Sequence, residues 1–368
     1  MASDGTKKKQ FTALTGLRGF AALWVVSLHF EEVTNQLAPA SVALNWLMGT
    51  GANAVALFFV LSGFVLLYTY HDRFQVFSWA EYRRYLGLRV ARIYPAYLAA
   101  LLLMIALVAM AEWRGMPHSG ASYPMNWLPW EALMMHQWWQ SGFFGWNFPD
   151  WSVSTEWFAY LFIFPLAVGV MKKLTGRVAA ILCVTVLLLV EPAIRLRWEW
   201  KIPMVSLLFL TGAGLWKIRY SWGKAGGLIN EHLDMIGAVM LLFALAIGPV
   251  FSPYVFLILI LTAFSLLILG VTYRGGIPSY VLSSRPAIFL GEISYSVYLI
   301  HGVVLRLLKT VLPAGRFEHS PLLVRLVVIS GYFTAVLVAA ILLYFCVENP
   351  ARHWLRRRFE SRQIQKYT

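Results

Sequence analysis

Ten long apolar runs constrain this chain more than any other feature of its sequence. A helix needs roughly 20 predominantly apolar residues to cross a membrane, and each run meets or nearly meets that length. In lipid, a helix satisfies all of its backbone polar groups within one segment. The sequence therefore predicts an all-α, polytopic membrane protein with about ten transmembrane helices in one bundle. The runs occupy residues 11–30, 52–70, 88–111, 151–171, 178–194, 202–220, 233–250, 253–272, 286–309 and 322–347.

The composition agrees with a lipid environment and excludes several classes of soluble protein. Of the 368 residues, 59% are hydrophobic and only 13% are charged, whereas soluble domains have about 25% charged residues. This shortfall excludes an ordinary cytosolic enzyme and a disordered chain. The two cysteines, Cys183 and Cys346, lie inside apolar runs. We therefore expect neither a disulfide framework nor a metal site.

The net charge of +14 indicates membrane orientation rather than a nucleic-acid partner. If the N-terminus is cytoplasmic, the segments on the inner side hold most of the 31 Lys and Arg residues, in agreement with the positive-inside rule. Both termini are then cytoplasmic. The sequence predicts a cytoplasmic tail over 1–10, a transmembrane domain over 11–350 and a basic cytoplasmic tail over 351–368, in the inner (cytoplasmic) membrane.

The first run carries two ionisable residues at positions where charge is costly. Arg18 and His29 are eleven residues apart, so they lie about 20° from alignment and about 16 Å apart along a helix. Under the predicted orientation, Arg18 is nearer the cytoplasm and His29 nearer the outside. A snorkelling arginine and a hydrogen-bonded core histidine would explain each residue separately. Their shared face favours a functional site.

Arg89 and Arg92 open the third run at its cytoplasmic end. Residues three apart share one part of a helix face, and two guanidinium groups suit a phosphate or pyrophosphate because each donates bidentately. The neighbouring Arg83 and Arg84 are explained by topology alone. Because Arg89 and Arg92 continue into the apolar run, we interpret them as ligands for an anionic group.

Glu156 lies about one and a half turns into the fourth run, which starts at the outer face under this topology. An embedded carboxylate needs a partner, and His29 lies at a similar depth in the first run. A His–Glu pair holds the imidazole in one tautomer and raises its basicity, as a general base requires. We expect His29 and Glu156 to be catalytic, and their contact is a hypothesis.

Other polar residues are weaker candidates. Tyr295 and His301 lie in the ninth run, where polar side chains also serve to link helices within a bundle. They are possible supporting residues. Ser62 lacks the flanking glycines of a nucleophile elbow, and we interpret it as small-residue helix packing.

The segment over 112–150 is rich in Trp and Tyr. Its part over 127–140 is too short to span a membrane, which indicates an interfacial or re-entrant segment. Aromatic belts are common at membrane surfaces, and the same rings could stack against a sugar. The sequence leaves both interpretations open.

Several of these segments together resemble the membrane-bound acyltransferase-3 family, which comprises integral-membrane O-acyltransferases. They follow the order of that family's motifs over nearly the whole chain, and Ser152 becomes a possible supporting residue through this resemblance. The matching segments are Arg18 with His29, LFFVLSGF over 57–64, RVARIYP over 89–95, WSVSTE over 151–156, GEISYSVYLIH over 291–301 and VENP over 347–350. One departure is Ala56, where many members carry an acidic residue.

The resemblance implies acyl-coenzyme A, commonly acetyl-coenzyme A, as the donor substrate and a hydroxyl group as the acceptor. The acceptor is often a sugar of a surface or exported polysaccharide, such as an exopolysaccharide. The donor phosphates would meet Arg89 and Arg92, with Arg18 deeper and the thioester near His29. Some members carry an appended hydrolase-like domain. Here we expect the membrane domain to complete the transfer itself or with separate glycan synthesis or export proteins.

Several alternatives stay open at this level. Direct transfer and an acyl-enzyme intermediate fit equally, and a secreted small molecule could replace the glycan as the acceptor. A flippase or secondary transporter for an anionic or lipid-linked substrate also uses embedded Arg, His and Glu residues. Such transporters often contain internal repeats, which this sequence lacks. A scaffold without chemistry is disfavoured by the two aligned pairs of ionisable residues.

Overall fold

The computed structural model describes residues 11–38, 42–116, 123–139, 144–196, 201–223, 227–273 and 276–361. Within these ranges the regular elements are all helices, so the all-α prediction is confirmed. Short 3-10 and π-helical turns join some of them. The α-helices are α1 (Thr12–Leu37), α2 (Val42–Gly49), α3 (Ala52–Tyr70), α4 (Trp79–Trp113), α5 (Leu128–Ala132), α6 (Trp151–Phe158), α7 (Phe164–Lys173), α8 (Gly176–Leu196), α9 (Lys201–Trp222), α10 (Gly227–Ile247), α11 (Pro253–Gly270), α12 (Ile277–Leu282), α13 (Arg285–Val311), α14 (Leu322–Leu343) and α15 (Asn349–Ser361).

Nine helical segments in the described part of the chain are long and apolar enough to cross a membrane. They correspond to nine of the ten predicted runs, which confirms a polytopic membrane protein. The remaining run, over 178–194, coincides with α8. This helix extends over Gly176–Leu196, but its apolar part is the shorter stretch Gly176–Leu189. α8 packs along α9.

Two of the spans contain a π-helical turn. Ala159–Ile163 joins α6 to α7, and Tyr344–Glu348 joins α14 to α15. Such turns interrupt the regular rotation of side chains around a helix and are frequent at functional sites. The predicted domain boundary at residue 350 falls at the start of α15, so the described part of the predicted C-terminal tail is helical. Residues 1–10 and 362–368 lie outside the described residues.

Close packing of α1 against α13 organises the centre of the bundle. A Cβ atom added at Gly291 would lie 1.9 Å from the backbone oxygen of Thr15, and one at Gly19 would lie 2.7 Å from the Gly291 nitrogen. Small residues allow transmembrane helices to approach this closely, which increases their van der Waals contact. The contact holds α1, which carries Arg18 and His29, beside α13, which carries the GEISYSVYLIH segment.

The described part of the predicted interfacial segment, 127–139, forms the short helix α5 followed by turns. Hydrogen bonds tie it to the neighbouring spans. The Trp138 Nε1 donates to the Ser154 oxygen at 3.0 Å, and the Tyr97 hydroxyl donates to the Glu131 backbone oxygen at 2.8 Å. This segment therefore packs against the middle of α4 and the start of α6.

Candidate active site

A cavity of about 850 Å³, including the part that is open at its mouth, lies between α1, α3, α4, α6 and α13. It collects most of the residues that the sequence singled out. Charged side chains line it although the surrounding helices are apolar, which is unusual in lipid and indicates a binding site. The predicted residues among its lining are Arg18, Arg89, Arg92, Ser152, Glu156 and Tyr295.

Arg89 is held by aromatic residues on the cytoplasmic half of the predicted topology. One of its guanidinium nitrogens donates to the Tyr70 hydroxyl at 2.8 Å. The guanidinium carbon lies 5.2 Å from the centre of the Tyr70 ring and 6.0 Å from that of Tyr85. These cation–π contacts orient the side chain but provide no counter-charge. Arg89 therefore keeps a full positive charge that a ligand could neutralise.

Arg92 forms an ion pair with Glu348, which is fully buried in the second π-helical turn. The other carboxylate oxygen of Glu348 accepts a hydrogen bond from the Ser296 hydroxyl at 2.7 Å. Glu348 is not among the site residues expected from the sequence. The rule that singled out Glu156, a carboxylate in an apolar stretch, would also have found it.

Arg18 reaches the same cavity from α1. It interacts electrostatically with the carboxylates of Glu156 and Glu348 and with the guanidinium of Arg92. The three lining arginines therefore share one cavity, although two lie on α4 and one on α1. This arrangement agrees with the interpretation of the arginines as a single anion site.

Glu156 accepts two hydrogen bonds in the cavity wall. The Ser62 hydroxyl donates at 2.8 Å and the Tyr160 hydroxyl at 2.6 Å. The interpretation of Ser62 as helix packing alone is therefore wrong, because its hydroxyl reaches across from α3 to the carboxylate. Tyr160, in the first π-helical turn, was missed as well.

His29 and Glu156 have separate partners. The His29 Nδ1 lies 2.9 Å from the Val25 backbone oxygen, while Glu156 is hydrogen-bonded to the hydroxyl groups of Ser62 and Tyr160. The hypothesis that the carboxylate orients the imidazole is not supported by this geometry. The two helices present these residues at similar depth but toward different neighbours, and sequence spacing carries no information on rotation between helices.

His29 instead lies beside His301. Their ring centres are 5.0 Å apart, and the ring of Phe148 packs 4.6 Å from His29 and 5.5 Å from His301. His301 is fully buried. Its Nδ1 lies 3.3 Å from the Val297 oxygen, and its Nε2 has no hydrogen-bond partner in the structure. The residue predicted as supporting is thus the direct neighbour of the predicted base.

Tyr298 connects the histidine pair to the cavity. Its side chain lines the cavity, and its ring centre lies 5.8 Å from that of His301. The Tyr298 hydroxyl lies 2.6 Å from the Ser152 hydroxyl, which places Ser152 at the same junction. Tyr295, the other supporting candidate, lines the cavity and donates to the Ile93 oxygen at 2.8 Å. The site therefore has an arginine-rich part and a histidine part that meet at Tyr298.

The aromatic segment between α4 and α6 contains a buried polar centre and an exposed aromatic cluster. The Glu131 carboxylate is fully buried and accepts a hydrogen bond from the Trp146 backbone at 2.8 Å. Burial raises the pKa of Glu131 to about 7. Trp130 and Trp139, in contrast, are about two-fifths exposed, and their ring centres are 4.7 Å apart. These two rings stay compatible with either a membrane surface or a sugar.

Comparisons with known proteins identify the family. The model of the Acyl_transf_3 acyltransferase domain matches residues 11–344. The acyltransferase MdmB of Streptomyces mycarofaciens is 27% identical over 386 aligned positions, which cover 94% of this chain and 92% of that protein. Protein 2 in picA locus of Rhizobium radiobacter is 38% identical over 109 positions, or 30% of this chain and 51% of that protein. No solved structure matches the chain. The resemblance inferred from the motifs is confirmed, and the chain belongs to the Acyl_transf_3 family of membrane acyltransferases.

Proposed function

We propose that this acyltransferase moves an acyl group, in the first instance acetyl, from cytoplasmic acyl-coenzyme A to a hydroxyl group of a glycan at the outer side of the inner membrane. The observation that carries the proposal is the shared cavity of Arg18, Arg89 and Arg92 and its connection to His29 through Tyr298. This reaction needs a binding site for an anionic donor and a general base. The arginine-rich part of the site provides the first, and the histidine part provides the second.

The arginine-rich part suits the phosphates of coenzyme A. Guanidinium groups donate bidentately to phosphate oxygens, and Arg89 carries a charge that its aromatic neighbours leave unbalanced. The pantetheine arm of the donor spans roughly 15 Å when extended, which is close to the axial separation of Arg18 and His29. A donor bound by its phosphates at the arginines would therefore bring its thioester to the junction at Tyr298.

The histidine part suits proton transfer. Because the Val25 oxygen can only accept, a hydrogen bond to it requires the proton of a neutral His29 on Nδ1. The Nε2 atom is then the basic nitrogen. It removes the proton of the acceptor hydroxyl while the hydroxyl oxygen attacks the thioester carbon. The carbon–sulfur bond breaks, and the thiolate takes the proton back from His29.

Glu156 has a different role in this proposal from the one that its depth suggested. It accepts hydrogen bonds from Ser62 and Tyr160 and interacts electrostatically with Arg18. It therefore orients the cavity wall around the donor and leaves the orientation of His29 to the backbone. We expect its loss to impair donor binding as well as turnover.

The proposal is tested with purified protein, acetyl-coenzyme A and a panel of surface glycans. Release of free thiol that depends on both the glycan and His29 would support it. Donor and glycan binding without thiol release would contradict it and would favour a carrier. Mass spectrometry of glycans from cells with and without the protein then identifies the acceptor. Acylation of a secreted small molecule in place of a glycan would overturn the assignment of the acceptor but not that of the donor.

A further inference from the structure

Arg352 differs from the other arginines of the C-terminal helix α15. Its side chain is half-buried, whereas Arg356, Arg357 and Arg358 are exposed. It follows Glu348 by four residues, so the two lie on one face where α14 continues into α15. The predicted topology counts Arg352 among the cytoplasmic cations, but burial of an arginine next to the site calls for another explanation.

The packing of α15 on α4 places Arg352 close to the two arginines of α4 that are proposed to bind coenzyme A. Arg92 pairs with Glu348 at one end of this contact. At the other end, a Cβ atom added at Gly87 would lie 2.7 Å from the Phe359 ring. The two contacts define antiparallel helices. Residue 352 lies between them on α15 and therefore opposite the turn of α4 that contains Arg89.

This placement concentrates positive charge. Arg352 interacts electrostatically with Arg92 and Arg89, and Glu348 is the carboxylate that acts on it. The three guanidinium groups thus lie near one another, and Glu348 is already paired with Arg92. Like charges at close range repel each other, and more strongly where water is scarce. A bound polyanion would remove this repulsion.

We propose that Arg352 binds the 3′-phosphate of the coenzyme A donor, the phosphate furthest from the thioester. This inference rests on the proposed function. Arg352 lies one helical turn, about 6 Å, beyond Glu348, in the direction of the N-terminal end of α4 and away from Arg92. A donor with its thioester near Tyr298 and its pyrophosphate at Arg89 and Arg92 would carry its 3′-phosphate to that side.

The experiment compares the binding of coenzyme A and dephospho-coenzyme A, which lacks the 3′-phosphate, to the purified full-length protein. Arg352→Gln should bind coenzyme A about tenfold more weakly than the unchanged protein, the effect of one charge-assisted hydrogen bond. It should bind dephospho-coenzyme A as the unchanged protein does. Arg352→Lys should recover part of the loss.

Arg357→Gln is the matched control. Arg357 lies on the same helix, five residues further on and about 140° around it, and its side chain is exposed. This variant removes the same charge and should keep the affinity for both ligands. A similar loss in both arginine variants would show a general effect of charge and would overturn the inference.

Two further outcomes would also overturn it: unchanged coenzyme A affinity in Arg352→Gln, or an equal loss for both ligands. A thermal melt of each variant shows whether Arg352→Gln is folded. If it unfolds, the comparison of the two ligands in Arg352→Lys decides. If the unchanged protein binds neither ligand, the proposal of acyl-coenzyme A as donor is contradicted. That outcome is distinct from one in which coenzyme A binds but Arg352 does not contribute.

Discussion

His29 has one ring nitrogen committed to its own helix and one available for chemistry. The Val25 oxygen holds Nδ1 at 2.9 Å, so His29→Ala removes the base without breaking a hydrogen bond to another helix. We expect transfer to fall by about 10²- to 10⁴-fold, the usual contribution of a general base. The measurement is thiol release at saturating donor. Coenzyme A affinity and thermal stability should stay unchanged.

A histidine elsewhere provides the control for this variant. His353 is exposed on α15, and His353→Ala should keep full activity. Near-normal turnover in His29→Ala would remove His29 from the mechanism. In that case His301, whose buried Nε2 lacks a partner, would be the base to test next.

Arg89 offers a cleaner test of donor binding than Arg92. Arg89→Gln removes one hydrogen bond to the Tyr70 hydroxyl, which is a neutral group. Loss of Arg92, in contrast, leaves the buried Glu348 carboxylate without its ion-pair partner, which is strongly destabilising. We expect Arg89→Gln to raise the donor KM at least about tenfold with a smaller fall in kcat. Steady-state kinetics with varied donor measure both constants. A fall in kcat at constant KM would assign Arg89 to the chemical step.

The sequence located the arginines, Glu156 and both histidines because embedded charge is rare enough to be noticed one residue at a time. It could not assign their partners. Glu156 contacts Ser62 and Tyr160 rather than His29, since contact depends on how each helix is rotated and which neighbour it faces. The apolar runs provided the set of helices, but the pairing of side chains across them required the structure.

At the scale of single elements, the crossing of α1 and α13 depends on the absence of side chains. Gly291→Ala would place a methyl group 1.9 Å from the Thr15 backbone oxygen, so the two helices would have to separate. We expect a loss of about 1–3 kcal/mol in stability, as for overpacked cores, together with reduced activity. Thermal unfolding in one detergent measures the loss.

Gly331→Ala is the matched control for this crossing. Gly331 lies within α14, and a Cβ atom there would meet nothing within 4 Å. The same substitution should therefore leave stability unchanged or slightly raise it, because alanine favours the helix. Equal melting temperatures for both variants would contradict the tight α1–α13 contact.

The π-helical turns limit what regular helical spacing can predict about the site. Tyr160 and Glu348 each lie in such a turn, where the extra residue shifts the following side chains around the axis. A prediction that assumes 3.6 residues per turn throughout therefore misplaces the side chains that follow each π-helical turn. Helical periodicity was reliable for Arg18 and His29, which lie in the uninterrupted helix α1.

For the whole molecule, the number of spans decides where the termini lie. An even number leaves both on one side, and an odd number separates them. The decision depends on α8, whose apolar part is the shortest. Its packing indicates a full crossing. A Cβ atom at Gly176 would lie 2.8 Å from the Ser221 side chain, and one at Gly214 would lie 2.4 Å from the Cys183 sulfur. α8 thus runs antiparallel along α9 and begins where α9 ends.

We therefore expect ten crossings with both termini in the cytoplasm, and single cysteines can test this. Cys183 and Cys346 are first replaced by alanine, and a cysteine is introduced at Thr175, Tyr220, Trp113 or Arg357, all of which are exposed. In intact cells, a membrane-impermeant maleimide should label only the cysteine at position 113. The other three should react after permeabilisation. If α8 did not cross, the cysteines at 175 and 220 would lie on opposite sides. Labelling of position 220 in intact cells, with 175 protected, would therefore contradict the ten-span topology.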